Sequence, residues 1–149
     1  MKRFKFSIEP VDKYKRTVEK LQTGELRRAR EALAQLEARR ESLIREFAET
    51  TAKREAEMKS GLSVDDFLMY DRYFERLRRE RTALSPRIAR AKREVTEREA
   101  QLIRTKNELK AYGKLRAREV AAYNQEVAAE EAQIINEFVS FNVTTGQDN

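Results

Sequence analysis

Lys59-Ser60-Gly61-Leu62-Ser63-Val64-Asp65-Asp66-Phe67-Leu68-Met69-Tyr70 is the stretch that decides the fold. Gly61 can take the left-handed backbone conformation that ends a helix. Ser63 then N-caps a second helix, with Asp65 and Asp66 in its first turn, where the helix dipole favours negative charge. Leu62, just before the cap, is placed to pack on Phe67 at the fourth helical position as a hydrophobic staple. About four residues join the two helices, so they must run antiparallel.

Downstream of this turn, apolar residues recur at alternating steps of three and four. The positions are Phe67, Tyr70, Phe74, Leu77, Arg81, Leu84, Ile88, Ala91, Val95, Arg98, Leu102, Thr105, Leu109 and Tyr112. Eleven of the fourteen are apolar or aromatic, which makes this a coiled-coil seam and not a chance pattern. Arg81 and Arg98 fit the seam if their stems lie along it and their guanidinium groups reach water; the alternative is that they face a partner. Pro86 conflicts with a long helix, because it removes a hydrogen bond at a cost of about 3 kcal/mol. Leu84 and Ile88 nevertheless keep register across it, so a kinked but continuous helix is expected, with a full break as the alternative.

Upstream, a first helix is read over about residues 8–59, with Ser7 as N-cap and Pro10 in the first turn. Its seam reads Val11, Tyr14, Val18, Leu21, then Leu26, Ala29, Leu33, Leu36, Arg40, Leu43 and Phe47. The step from Leu21 to Leu26 is one residue too long, and Gly24 lies inside it, so a local phase shift or mild distortion is expected there.

Folding about the turn sets position i against roughly 123 minus i, so the second ladder stops where the first helix runs out. Beyond Tyr112 the seam passes a stutter at Gly113 and continues through Arg116, Val120, Tyr123, Val127, Ile134 and Phe138. The fold expected is all-α, a long antiparallel two-helix coiled coil in one unit over residues 1–141. The turn is placed at 60–63 and the second helix at about 64–140. The second helix overhangs the first by about 25 residues, or close to 40 Å. Its apolar stripe needs a partner from elsewhere unless residues 1–10 fold back over part of it. Residues 142–149 are expected to be a disordered tail.

Composition agrees. Charged residues make up 39% of the chain and only four Gly and two Pro occur, as in long helices and not in a thick-cored globule. With no His and no Cys, the usual acid–base residue, thiolate nucleophile and zinc ligands are missing. The scattered glycines build no phosphate loop. A non-enzyme without cofactor or metal is therefore expected. No run approaches the roughly 18 apolar residues of a membrane span, so no direct membrane insertion is expected. The basic start lacks the apolar region of a secretory signal. Absence of cysteine fits an intracellular protein.

Charge is unevenly placed. Residues 71–93 hold nine basic and three acidic side chains, which equals the whole net charge of +6. Nothing after Arg118 is basic, while the first sixteen residues carry six cations and two anions. Both helix ends at the open side therefore oppose their dipoles and should fray unless something binds there. The cluster Arg72 to Arg93 could contact phosphates. Glu75/Arg79 and Glu94/Arg98 at helical spacing read instead as ordinary solvated pairs, and no nucleic-acid motif accompanies them. No nucleic acid is expected; an acidic protein surface fits better. Tyr73, off the ladder beside Arg72, is a contact candidate close to the turn.

The opening Phe4-Lys5-Phe6-Ser7-Ile8-Glu9-Pro10-Val11 resembles the start of the flagellar export protein family FliJ. So does the stretch from Gly61 to Leu77, with Phe67, Tyr70, the Tyr73-Phe74 pair and Leu77, and the acidic segment from Tyr123 to Phe138. The resemblance implies a cytoplasmic, non-enzymatic stalk protein of flagellar type III export, peripherally associated with the inner face of the membrane at the flagellar base. It implies as partners the hexameric export ATPase, the cytoplasmic domain of the export gate FlhA, and export chaperones. It assigns gate binding to Tyr70, Tyr73, Phe74 and Leu77, and binding of the ATPase ring to Phe4, Phe6, Val127, Ile134 and Phe138. A general hairpin chaperone or spacer, an injectisome stalk protein among them, is the alternative reading, with a nucleic-acid-binding hairpin behind it.

Overall fold

In the computed structural model, residues 2–147 are described, and two helices hold nearly all of them. Helix α1 spans Glu9–Ser60 and helix α2 spans Val64–Gln147, packed against each other as an antiparallel, all-α hairpin. Contacts divide the chain into two units. One, here the turn unit, is Lys20–Ile103; the other, the terminal unit, joins residues up to Glu19 with those from Arg104 onward.

In the turn unit the local chemistry of the connection is as expected. Gly61 has φ of 95°, a conformation that only glycine adopts without strain, and its N–H donates to the Met58 carbonyl at 3.3 Å. Ser63 Oγ accepts the Asp66 N–H at 3.1 Å, and the Ser63 carbonyl accepts the Phe67 N–H at 3.0 Å, which caps α2. Leu62 and Phe67 line one small hollow together with Met58, the arrangement of a staple.

The core of this unit is Leu43, Leu77, Leu84 and Ile88, with Leu33, Leu36, Phe47 and Tyr73 packed against it. Pro86 sits inside an uninterrupted α2, so the chain does not break there. Leu84 and Ile88, on either side of it, are 4% and 3% exposed. Burying two such side chains contributes about 1.5–3 kcal/mol each, enough to offset one lost hydrogen bond. The α2 ladder is realised: of its fourteen positions only Phe67 and Arg81 are exposed. Register follows too, since the Glu25–Arg98 pair at 2.7 Å and the Lys15–Glu108 pair at 2.5 Å both match the expected mirror.

The first half of α1 departs from expectation. No phase shift occurs at Gly24, which stays inside a continuous helix. The inward line keeps its three- and four-residue steps backwards from Leu26 through Gln22, Glu19, Lys15 and Asp12, all half-buried. Val11, Tyr14 and Leu21, expected in the seam, are 44%, 66% and 62% exposed. The reason is geometric. A five-residue step turns about 500°, so in an unbroken helix Leu21 stands roughly 140° away from Leu26. Only Val18 of that segment's apolar residues remains half-buried.

Helix α1 also starts slightly later than read. The Ile8 carbonyl, not a Ser7 cap, accepts the first helical bond, from the Asp12 N–H at 2.9 Å. The Ser7 N–H instead donates to Glu119 Oε1 at 3.2 Å. Within the terminal unit, residues 2–7 continue along α2 past the start of α1 and cover part of its stripe. Helix α2 runs to Gln147, so residues 142–147, expected as a disordered tail, are helical; residues 148–149 lie outside the described residues. Thr144 and Thr145 donate to the carbonyls of Ser140 and Phe141, both at 2.9 Å, and so turn their hydroxyls inward on the last turns instead of breaking them.

Candidate protein-interaction sites

Two surfaces stand out, one in each unit. In the turn unit, the four residues singled out after the turn fall on neighbouring turns of α2 but have different surroundings. Phe74 and Leu77 are each 3% exposed and belong to the core. The Phe74 ring packs on Phe47 with centroids 4.8 Å apart, and the Arg54 guanidinium lies 4.7 Å from its centroid. Neither side chain is open to a partner, because each is on the seam side of α2. Their place is beneath the surface that Tyr70 and Tyr73 present.

Tyr70 and Tyr73 are half-buried and line an open hollow of about 720 Å³ beside the turn, together with Lys53, Leu62, Asp66 and Met69. The Tyr70 hydroxyl donates to Glu57 Oε2 at 2.5 Å. That bond, with desolvation and the carboxylate charge behind it, holds the phenol above its ordinary pKa. Tyr73 Oη lies 3.4 Å from Glu46 Oε2, and the Arg76 guanidinium sits 5.1 Å from the Tyr73 ring centroid. Further from the turn, Arg39 joins the two helices, with Nε 2.8 Å from Glu80 and Nη1 3.7 Å from Glu46. The hydrogen bond from Arg39 holds the Glu80 carboxyl below its usual range. Both tyrosines are thus oriented through their hydroxyls, with the Tyr73 ring lying between the core and Arg76. Met69, 66% exposed, joins them and was missed by the ladder, since it lies off the seam and only its exposed apolar character marks it.

The terminal unit carries the other surface. Phe6 is 7% exposed and Phe4 half-buried, its ring edge-on to Tyr123 at 5.7 Å and its face 5.5 Å from the Arg116 guanidinium. The Tyr123 hydroxyl donates to the Lys2 carbonyl at 2.6 Å. This N-terminal strap covers α2 as far as Tyr123, and Val127 is still half-buried. Beyond it nothing among the described residues covers the helix. Ile134, Phe138 and Phe141 are 63%, 64% and 65% exposed and recur at helical spacing on one face. Of the five residues read as ring-binding, therefore, Ile134 and Phe138 offer bare apolar surface, while Phe4, Phe6 and Val127 are occupied within the chain. Phe141 was missed because it falls just past the end expected for the second helix, at about residue 140.

A profile of the flagellar FliJ proteins matches residues 4–147. The chain belongs to the FliJ family. No curated protein and no solved structure matches it. FliJ membership ties the chain to flagellar export, in a family of structural export proteins and not of enzymes. Among the described residues no helix is long and apolar enough to cross a membrane, and no three carboxylates gather as a metal site.

Proposed function

We propose that this FliJ protein is the non-enzymatic stalk that links the hexameric flagellar export ATPase to the cytoplasmic domain of the export gate FlhA. Alongside this it assists export chaperones and their substrates. It works in the cytoplasm, peripherally held at the inner face of the membrane at the flagellar base. The observation that carries the reading is the bare apolar end of α2, with Ile134, Phe138 and Phe141 each more than 60% exposed. An exposed stripe of that kind marks an interaction surface. The ring takes this end, and the gate takes the turn unit through Tyr73 and Tyr70, whose rings Phe74 and Leu77 support from below. Coupling is mechanical: changes in the ring turn the terminal unit, and the continuous helices α1 and α2 carry the motion to the turn.

Adding the purified chain to the cognate ATPase should raise its ATP hydrolysis, and Ile134→Ser with Phe138→Ser should abolish the increase while helicity is retained. Tyr73→Ala should leave the stimulation intact and stop export in cells. A chain that neither stimulates nor co-purifies with the ATPase would overturn the reading. The same bare end suits a general hairpin chaperone, which predicts suppression of client aggregation with no ATPase present.

A further inference from the structure

Arg72, Arg76, Arg79, Arg87 and Arg90 form one straight stripe on α2 of the turn unit, with Ala83 in the gap. Their steps of four, three, four, four and three average the period of the α-helix, so the stripe runs parallel to the axis instead of winding round it. It spans about 27 Å at 1.5 Å per residue. All five side chains are exposed, on the side away from the buried Phe74, Leu77, Leu84 and Ile88.

What sets this stripe apart is that its charge lies on one line with few carboxylates to answer it. Three arginines of the unit reach carboxylates on the facing helix: Arg30 to Glu99 at 3.0 Å, Arg39 to Glu80 at 2.8 Å, Arg98 to Glu25 at 2.7 Å. In the stripe, among the described residues, only Arg79 has an ion pair, with Glu75 at 3.4 Å, while Arg76 lies over the Tyr73 ring. Arg72, Arg87 and Arg90 have no counter-charge among the described residues. Every cation of the stripe is arginine, the side chain whose planar fork grips a carboxylate or phosphate through two hydrogen bonds.

The geometry points to a docking surface for an acidic protein segment, helical and laid alongside α2, with carboxylates at three- and four-residue spacing. Three features favour a protein over nucleic acid. The stripe is one residue wide between Glu75 and Glu80, which suits a single row of carboxylates better than the two phosphate strands of a duplex. Apart from Tyr73, whose face Arg76 already covers, no aromatic side chain stands on it for bases to stack on. And α-helical spacing on one partner is matched most closely by α-helical spacing on the other. This inference does not rest on the stalk reading, because it can be tested with neither the ATPase nor the gate.

The probe is an alanine-based helical peptide of about 20 residues, with glutamates at the stripe's own spacing, titrated against the full chain by fluorescence anisotropy. Salt should weaken the binding steeply. The triple variant Arg72→Gln, Arg87→Gln, Arg90→Gln touches no core contact and should bind at least about tenfold more weakly. Lysine at the same three positions should restore only part of the affinity, since charge returns without the fork. Peptide binding that ignores the triple variant, or no binding to the unaltered chain, overturns the proposal. Duplex DNA or single-stranded RNA of equal length binding more tightly than the peptide overturns it in favour of nucleic acid. Sedimentation of the chain alone at low salt adds one further outcome: dimers lost in the triple variant would show that the acidic segment belongs to a second copy.

Discussion

The two units close the same pair of helices by different chemistry. In the turn unit the seam is apolar, with Leu43 at 1% exposure facing Leu77, Leu84 and Ile88. In the terminal unit α1 offers Asp12 and Lys15 to the seam and turns Val11 and Tyr14 outward. There the closure comes from the Lys15–Glu108 pair and from the strap that Phe6 anchors. The difference teaches where each region's free energy lies. Removing carbon from a dry seam leaves a cavity with nothing to fill it. Loosening a strap exposes apolar surface that water and neighbouring side chains can reach.

The largest effect should come from breaking the first closure. Leu43→Ala removes the most deeply buried apolar side chain among the described residues, and a loss of about 2–5 kcal/mol is expected. Thermal unfolding followed by circular dichroism should show a clear fall in midpoint. A loss below about 1 kcal/mol would mean that the two helices are not held at this point by packing.

Release of the strap should be smaller and local. Phe6→Ala gives up the burial of one aromatic ring, about 1.5–3 kcal/mol at most. The Ser7 amide, which donates to Glu119, should then lose its protection from hydrogen exchange, while amides around Leu77 and Leu84 keep theirs. Equal loss in both places would join the units into one cooperative block and erase the comparison.

The contrast also explains what could be read in the sequence. Gly61, Ser63 and the ladder from Tyr70 to Tyr112 were legible because each follows a local rule: a left-handed cap, a side-chain cap, a 3.5-residue period. The register followed from those alone. The strap was not legible, since Phe4 and Phe6 precede the helix and no periodicity tells which turn of α2 they meet. The Tyr123 hydroxyl on the Lys2 carbonyl is likewise a contact between segments with no shared pattern. At the turn, Tyr70 and Tyr73 were found but lumped with Phe74 and Leu77, because spacing gives an angle round the helix and not the side a partner helix will take.

The smallest effect separates the two lines that α1 could use. Counting apolar residues chooses Val11, Tyr14, Val18 and Leu21; the fold uses Asp12, Lys15, Glu19 and Gln22. Leucine 62% exposed in water has little burial to lose, so Leu21→Gln should change stability by no more than about 0.5 kcal/mol. If the apolar line were the true seam, the same substitution would bury an amide among leucines and cost several times as much. The midpoint of urea unfolding, compared with that of Leu43→Ala, decides between them. An unchanged midpoint leaves Leu21 on the outer face of α1. A fall comparable to that of Leu43→Ala would require the helix to shift phase at Gly24 and bring Tyr14 and Leu21 inward.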